Sequence, residues 1–138
     1  MIKRLGTPRD RPSRPARWLV EQGLISDNHL DWGCGYGKDA EFYGSDKYDL
    51  YHHNVPVTKQ YDTITCTFVL NVVESESERL KIIKTLNDLL LPNGKVYITV
   101  IRERFIKEGS RFFIILDLPS IRLEKKTYEI YLLDKSPN

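Results

Sequence analysis

The residues whose types could do chemistry are concentrated in the stretch "DWGCGYG" and the acid that follows it. The pattern consists of two carboxylates enclosing glycines at alternate positions: Asp31, Gly33, Gly35, Gly37 and Asp49. Glycines let the main chain turn tightly and approach a ligand without side chains. A carboxylate that ends the next strand can accept hydrogen bonds from the hydroxyls of a ribose. These residues predict a loop that binds a nucleoside.

The spacing of the glycines distinguishes two kinds of nucleoside site. Dinucleotide-binding loops use the spacing G-x-G-x-x-G, which sets a pyrophosphate on a helix N-terminus, and this loop lacks it. The carboxylate of Asp31 beside the loop would repel a pyrophosphate but attract an ammonium or a sulfonium group. The pattern therefore favours S-adenosylmethionine as the ligand and disfavours a nucleotide-binding oxidoreductase.

An alternation of predicted helices and strands supplies the framework for this loop. The first helix lies in "SRPARWLVEQGLI", where Ser13 is the expected N-cap and Gly23 the end, and the strand "HLDWGCG" follows it. The helix "KDAEFYG" and the strand "KYDLYHH" come next. After them, the β-branched run "YDTITCTFVLNVV" predicts a buried central strand.

The second half of the chain continues this alternation. Ser75 and Glu78 form an S-x-x-E capping box that begins a helix, and "PNG" at 92–94 is expected to end it. The strand "KVYITVI" follows, and the runs "RFFIILDL" and "KTYEIYLL" predict an antiparallel hairpin. The order predicts a minimal doubly wound, Rossmann-like α/β domain with a mostly parallel sheet and an antiparallel C-terminal hairpin. The predicted helix after Ser75 has one apolar stripe: Leu80, Ile83, Leu86, Leu89 and Leu90.

Length and composition limit the class of protein. The 138 residues suffice for one domain, and 41% hydrophobic with 29% charged residues is typical of a soluble globular protein. No apolar run approaches the roughly 20 residues that span a bilayer, and the N-terminus lacks the apolar segment of a signal peptide. We therefore expect a cytoplasmic protein without membrane contact. Cys34 and Cys66 lack metal-ligand spacing, so we expect reduced packing residues and no metal site.

Charge is distributed unevenly along the chain. Residues 1–17 carry six basic side chains and one acid, whereas the remainder holds fifteen basic and eighteen acidic residues. An arm rich in arginine can follow a phosphate backbone, although a solvated terminus that aids solubility has the same composition. We divide the chain into a basic N-terminal arm at residues 1–12 and a single domain at residues 13–138.

Several motifs together resemble a known family. The segments "SRPARWLVEQGLI", "LDWGCGYGKDAEF", "YDTITCTFVLNVVESESER" and "LLLPNGKVYITV" resemble motifs of the class I S-adenosylmethionine-dependent methyltransferases. They are similar in particular to bacterial and phage methyltransferase-like proteins of the DNA phosphorothioation-associated type. The resemblance covers about residues 13–133. It implies that the glycine loop takes the methionine moiety, that the acid after the second strand takes the ribose, and that the end of the fourth strand lies beside the methionyl amine. The residues so implied are Gly33, Cys34, Gly35, Gly37, Asp49, Thr67 and Phe68, with Leu50 packed on the adenine.

The segment between Asp49 and Asp62 departs from the family pattern. It is too short for the helix, strand and second helix that usually lie there, so the third strand region is predicted to be shortened to "HHNVPVTKQ". The adenine side of the pocket is then open unless this loop or a partner covers it.

Candidate catalytic residues follow from the chemistry of a sulfonium methyl group. The methyl is already activated, so the protein must position the acceptor and, where the acceptor requires it, remove a proton. Asn71 can orient an acceptor through its amide, or it can cap the following loop. His53, or His52 beside it, can act as a base near pH 7 or have no catalytic part. Tyr36 either lines the site or packs, and His29 is expected at the surface.

Two functions remain open from the sequence. The first is an S-adenosylmethionine-dependent methyltransferase that acts on a nucleic-acid base, a nucleotide or a small molecule, with nucleic acid bound through the basic arm. No Asn-Pro-Pro-Tyr motif follows the fourth strand, which argues against the common amino-methyltransferase site for DNA bases. The second is a catalytically inactive cofactor-binding subunit that acts through a partner protein or as a homo-oligomer.

Overall fold

The structure is a computed structural model that describes residues 10–101, 121–124 and 127–135. The first nine residues of the predicted arm and the whole predicted strand "RFFIILDL" lie outside these ranges. The described elements, in chain order, are α1 (Arg14–Glu21), β1 (His29–Trp32), α2 (Lys38–Tyr43), β2 (Asp46–Tyr48), β3 (Tyr61–Thr67), the 3-10 turn Leu70–Val72, α3 (Glu76–Asp88), β4 (Leu90–Ile101), β5 (Ile121–Glu124) and β6 (Tyr128–Asp134).

The six strands of the described residues form one sheet in the order β2-β1-β3-β4-β6-β5. β1 pairs in parallel with β2 and with β3, and β3 pairs in parallel with β4. β6 runs antiparallel to both β4 and β5. This arrangement confirms the predicted Rossmann-like α/β fold with its antiparallel C-terminal pair. The pair is shifted along the chain, because β5 occupies residues that were predicted to connect the two hairpin strands.

Alternate residues of each strand face opposite sides of the sheet, and a helix packs on each side. On one side, Ile98 of β4 belongs to the same core cluster as Ile82 and Leu86 of α3. On the other side, Tyr97 of β4 packs in a second cluster with Leu19 of α1. The sheet is therefore covered by α3 on one face and by α1 on the other.

The ends of the helices follow the expected local rules. The Ser13 side chain accepts a hydrogen bond from the Ala16 N–H at the start of α1, and Gly23, with φ of 70°, follows the end of that helix. Ser75 accepts from the Glu78 N–H at the start of α3, as the capping box predicts. None of the helices that the structure describes is long and apolar enough to cross a membrane.

Two predictions for α3 were wrong. The helix ends at Asp88, so "PNG" at 92–94 does not end it but lies within an irregular first part of β4, where Asn93 has φ of 68°. Leu80, predicted on the buried stripe, is exposed, and Ile82 is buried instead. The other four residues of the predicted stripe are buried or packed against the core cluster: Ile83, Leu86, Leu89 and Leu90. The buried face of the helix therefore differs from the prediction only in its first turns, where Ile82 takes the place of Leu80.

The edge that positions the site lies where the strand order reverses. β1 has β2 on one side and β3 on the other, so the carboxyl ends of β1 and β3 meet at the switch point where doubly wound sheets bind ligands. β3 ends at Thr67, well before the end of the run "YDTITCTFVLNVV". Phe68, with φ of 57°, then turns the chain into the 3-10 turn. The second half of that run is therefore a turn beside the site and not a strand.

The connection between β2 and β3 is short and irregular. It contains neither a helix nor a strand of the sheet; its one ladder contact is an isolated bridge between Asp49 and His53. This confirms that the third strand region is shortened.

Candidate active site

The glycine loop is tied to the end of β2 through its own backbone. The N–H groups of Gly33 and Cys34 both donate to the carbonyl oxygen of Tyr48, at 2.7 and 3.0 Å. Gly33 has φ of 81°, a left-handed conformation that favours glycine. A Cβ at this position would also overlap Cγ2 of Val69, in the segment after β3. Gly33 therefore allows the two strand ends to pack together, a role beyond the close approach of a ligand.

Asp49, the predicted ribose ligand, clamps the glycine loop to the turn after β2. Its Oδ2 accepts the Gly35 N–H at 2.7 Å, and its Oδ1 accepts the N–H groups of Tyr51 and His52 at 2.9 and 3.0 Å. A carboxylate offers about four acceptor sites, so these three bonds leave room for about one ribose hydroxyl. The carboxylate is thus held in place by the backbone on both sides.

Four other predicted residues lie around this clamp. The ring of Tyr36, in the glycine loop, is 4.3 Å from the ring of His52, centroid to centroid, and is largely exposed. His53 exchanges two backbone hydrogen bonds with Asp49, at 2.9 and 3.0 Å. Leu50, directly after the acid, exposes 45% of its surface. The structure brings Tyr36 and both histidines to the clamp and leaves Leu50 as an exposed apolar side chain beside it.

Gly37 ends the loop and begins α2, which is joined to α1. Gly37 has φ of 89° and donates its N–H to the carbonyl of Cys34 at 3.0 Å. Two residues into α2, the Asp39 carboxylate accepts from both the N–H and the hydroxyl of Ser13, each at 2.7 Å. This pair of hydrogen bonds has no signature in the sequence, because Ser13 and Asp39 are 26 positions apart and nothing local to either one indicates the other.

Asp31 and His29, on β1, belong to a buried polar chain. The Thr65 hydroxyl donates to Asp31 Oδ1 at 2.9 Å, and His29 lies between Thr65 at 2.9 Å and Thr63 at 2.7 Å. The prediction that His29 is a surface residue was wrong, because only 3% of it is exposed. Burial lowers the pKa of His29 to about 3, against a weaker opposing effect of a backbone hydrogen bond at Thr63. The imidazole is therefore neutral at pH 7.

The two cysteines are free thiols, as predicted. Burial, together with the smaller effect of the negative charges of Asp31 and Asp49, raises the pKa of Cys34 to about 12. Burial also raises the pKa of Cys66, which lies in the core cluster under α3. Neither thiol can supply a thiolate nucleophile at neutral pH. The part of the chain that the structure describes contains no group of three or more His, Cys, Asp or Glu side chains that could hold a metal ion.

The adjacent ends of β3 and β4 contain polar groups without partners. Thr67 and Thr99 are neighbours in the parallel ladder, and their hydroxyls are buried without a hydrogen bond to any residue that the structure describes. Phe68 donates its N–H to the Thr99 carbonyl at 2.8 Å, and its ring meets that of Tyr128 edge-on at 6.4 Å. A left-handed conformation costs a non-glycine residue such as Phe68 on the order of 1–2 kcal/mol. Strain and unsatisfied polar groups therefore coincide beside the cofactor loop.

Asn71, in the 3-10 turn, is the most unusual of these residues. It is fully buried, and neither its amide oxygen nor its amide nitrogen has a partner among the described residues. The alternative that it caps the following loop is not what the structure shows, since Ser75 caps α3. A buried polar group without a hydrogen bond costs about 1–3 kcal/mol, so the Asn71 amide is a candidate for binding a group from outside the described residues.

A family model for the 25S rRNA (adenine(2142)-N(1))-methyltransferase, Bmt2, matches residues 43–129, which is well over half of the chain. The chain belongs to the Bmt2 family. The matched residues of the Bmt2 family include Asp49, Thr67, Phe68 and Asn71 and begin just after the glycine loop. Membership makes the chain a methyltransferase. No curated protein matches it in sequence.

Solved structures support the same fold. One, from work on the conversion of a disulfide bond into a thioacetal group during echinomycin biosynthesis, has a TM-score of 0.71 at 16% identity over 99% of this chain and 86% of the other. The N-methyltransferase NodS from Bradyrhizobium japonicum WM9, in complex with S-adenosyl-L-homocysteine, has a TM-score of 0.64 at 12% identity over 91% and 89%. The 1,6-didemethyltoxoflavin-N1-methyltransferase of Burkholderia thailandensis has a TM-score of 0.61 at 16% identity over 89% and 77%.

Family and fold agree with the motifs of the sequence. This member of the Bmt2 family is a methyltransferase with the fold of the class I S-adenosylmethionine-dependent enzymes. The carboxyl ends of β1 and β2 hold most of the predicted cofactor residues, and the end of β3 holds the other two, Thr67 and Phe68. The unsatisfied polar groups lie at the ends of β3 and β4 and in the 3-10 turn.

Proposed function

We propose that this chain transfers the methyl group of S-adenosylmethionine to N1 of an adenine in RNA. The observation that carries the proposal is the buried, unsatisfied amide of Asn71, in a chain whose family model describes an rRNA adenine-N1 methyltransferase. An Asn amide can bond in two places to an adenine edge, accepting from the N6 amino group and donating to N7. This pairing leaves N1 of the same base free to face the sulfonium methyl.

The chemistry at N1 requires little beyond position. N1 of adenine has a lone pair and no proton at neutral pH, so it attacks the methyl carbon directly while the carbon–sulfur bond breaks. The positive charge of the sulfonium passes to the methylated base, and S-adenosylhomocysteine leaves. No general base is needed, and catalysis consists of alignment and exclusion of water.

The cofactor side of the site follows the roles that the family resemblance implies. In this proposal the loop residues from Gly33 to Gly37, including Cys34, Gly35 and Tyr36, surround the methionine moiety. Asp49 accepts one ribose hydroxyl, and Leu50 packs on the adenine. Asp31, Thr67 and Phe68 face the methionyl amine. The clamp between Asp49 and Gly35 supports this proposal, because it holds the ribose ligand and the loop in one rigid unit.

Two arginines of α1 place positive charge near the end of β3, where the acceptor binds in this proposal. The charges of Arg14 and Arg17, on α1, act on the Tyr128 hydroxyl and oppose the rise of its pKa that burial causes. Tyr128 also contacts Phe68 at the end of β3. Phosphates of an RNA that places its base against Phe68 would therefore meet Arg14 and Arg17 of α1. This charge supports a nucleic-acid acceptor over a small molecule.

The proposal is tested by methyl transfer from labelled S-adenosylmethionine to structured RNA, duplex DNA and free nucleotides, followed by digestion and mass spectrometry. We expect 1-methyladenine in RNA. Asn71→Leu should lower kcat/KM by 100-fold or more, whereas the exposed Asn87→Leu should leave it unchanged. Methylation of DNA without methylation of RNA would contradict the proposal and identify a DNA base as the acceptor.

A variant of His53 distinguishes two kinds of methyl acceptor: adenine N1, which has no proton to lose, and an atom that must lose a proton. It is the candidate base beside the Asp49 clamp, and an N–H acceptor would need such a group. For adenine N1 we expect His53→Ala to retain activity within about threefold across pH 6–9. A 100-fold loss that is recovered at high pH would show that the acceptor carries a proton, and N1 would be the wrong atom.

A second candidate is the inactive cofactor-binding subunit. The observation that favours it is a row of exposed apolar side chains along the short connection after β2: Leu50, Tyr51 and Val55. A partner protein or a second copy of the chain could cover them and complete the adenine side. Cofactor binding by the isolated chain without methyl transfer to any RNA, together with transfer after addition of a cell extract, would favour this alternative.

A further inference from the structure

A line of buried hydroxyl and imidazole groups runs beneath the glycine loop on one face of the sheet. β1 and β3 pair in register, with His29 beside Thr63 and Asp31 beside Thr65, so these four side chains share a face. All four are buried. Their polar atoms are linked in sequence, from Asp31 to Thr65 at 2.9 Å, to His29 at 2.9 Å and to Thr63 at 2.7 Å.

The Asp31 carboxylate, at the first position of this line, fixes the direction of every hydrogen bond in it. An ionised carboxylate can only accept, so the single proton of the Thr65 hydroxyl points to Asp31 Oδ1. Thr65 must then accept its other bond from His29, which places the ring proton of the neutral imidazole on Nε2. Nδ1 is left as an acceptor and takes the proton of Thr63.

The far end of the line is anchored in the main chain. Thr63 Oγ1 accepts the backbone N–H of Ser26 at 3.1 Å, in the segment that leads from α1 into β1. Threonine side chains have few rotamers available, and β-branching limits them further in a packed sheet. The line is therefore rigid along its length, and its direction cannot reverse unless Asp31 becomes protonated.

We propose that Thr65 and His29 are positioning residues, which hold the Asp31 carboxylate in one orientation so that its charge faces the ammonium group of the methionine moiety of the cofactor. This inference rests on the cofactor site proposed above. A rigid network of neutral groups can orient a carboxylate without competing for its charge, whereas an imidazolium in the same place would bind the carboxylate itself. The low pKa of His29 is consistent with that requirement.

The test compares two ligands that differ only at the amino-acid end. S-adenosylhomocysteine has the ammonium group, and 5′-methylthioadenosine lacks the whole amino-acid portion but keeps the nucleoside. In Thr65→Val we expect calorimetry to show about tenfold weaker binding of S-adenosylhomocysteine, with binding of 5′-methylthioadenosine unchanged. Thr65→Ser, which keeps the hydroxyl, should recover the wild-type affinity for both to within about threefold.

Each outcome has a distinct meaning. Equal losses for the two ligands, or no loss for either, would overturn the positioning role, because a purely structural defect does not distinguish the ammonium group. If the wild-type chain binds neither ligand, the cofactor site itself is wrong. If Thr65→Val does not fold, nitrogen-15 NMR of the wild-type protein still decides, since the inference requires the Nε2–H tautomer of His29. The Nδ1–H tautomer would reverse the line of bonds and overturn it.

Discussion

The ends of two neighbouring strands, β1 and β3, differ sharply in how their polar groups are satisfied. After β1, the amides of Gly33, Cys34 and Gly35 all donate to Tyr48 or Asp49. After β3, the Thr67 hydroxyl and the Asn71 amide have no partner among the described residues. The loop after β1 is thus held by the chain's own hydrogen bonds, whereas the segment after β3 contains buried polar groups whose bonding capacity the described residues do not use. A pre-formed site lowers the cost of binding, while an unsatisfied one discriminates among the ligands that fill it.

The largest expected effect comes from breaking the junction between the two regions at Gly33. In Gly33→Ala the positive φ and the overlap with Val69 should together lower the free energy of unfolding by about 3 kcal/mol or more. The matched control is Gly23→Ala, where φ is also positive but nothing lies within 4 Å, so a loss of only about 1 kcal/mol is expected. Urea denaturation measures both.

A double variant sharpens this prediction. Val69→Ala removes Cγ2, so Gly33→Ala with Val69→Ala should lose less stability than the sum of the two single losses. Equal losses at Gly33 and Gly23, or strictly additive losses in the double variant, would show that the two strand ends are not in tight contact.

Low pH should destabilise the folded protein through the buried His29 on β1. Its pKa is about 3 in the folded protein, against 6.5 in the unfolded chain, so below pH 6.5 the unfolded chain takes up a proton that the folded protein does not. The free energy of unfolding should therefore fall as the pH falls from 6.5 towards 3, by up to about 1.4 kcal/mol for each pH unit. Denaturation at pH 7, 6 and 5 measures the slope. His29→Gln, which has no titrating ring, should show a shallower slope, and identical slopes would contradict the assignment.

Loss of the Asp49 clamp should lower the affinity for the cofactor more than the loss of a single ribose contact would. Asp49→Ala removes the acceptor for Gly35 and for the turn amides, so we expect S-adenosylhomocysteine to bind about 50- to 100-fold more weakly, which is about 2–3 kcal/mol. Asp62→Ala, an exposed acid at the start of β3, is the control and should leave the affinity unchanged. A loss below threefold for Asp49→Ala would mean that the ligand and the clamp are separate.

The smallest expected effect is on the free energy of unfolding of two threonine variants, which should change in opposite directions. Thr65→Val removes a hydroxyl with partners and should lower the free energy of unfolding by about 1–2 kcal/mol. Thr99→Val removes a buried hydroxyl without a partner among the described residues and should raise it by up to about 1 kcal/mol. Thermal and urea denaturation of the pair measure this difference. Equal losses of stability in the two variants would contradict the difference in hydrogen bonding between the two regions.

The features that the sequence predicted best are those with local signatures. The glycine loop and Asp49 were found because glycines at alternate positions after a strand have few other uses, and the structure places them together. Ser13 and Ser75 were identified as N-caps because a capping bond spans only three residues. The order of helices and strands followed in the same way from hydrophobic patterns within each segment.

The features that the sequence missed depend on partners far along the chain. His29 stands alone before a strand, and its partners Thr63 and Thr65 come 34 and 36 residues later, so only the pairing of β1 with β3 buries it. The apolar run after Thr67 predicts a strand but forms a turn, because a buried turn has the same composition as a buried strand. Asn71 was recognised as a candidate, but the absence of a described partner for its amide needs three-dimensional structure to be seen.

The brevity of β2 has a consequence for how ligand enters. This strand has three residues and lies at the edge of the sheet, yet its Tyr48 carbonyl holds the first two amides of the glycine loop. Short edge elements open locally at much lower free energy than the centre of a sheet, so fraying of β2 releases the loop and the Asp49 clamp together. We expect that the nucleoside of the proposed cofactor site then passes in and out without movement of the central strands. Amide hydrogen exchange at Gly33, Cys34 and Gly35 reports this opening directly, and a bound nucleoside slows it while exchange in β4 stays the same.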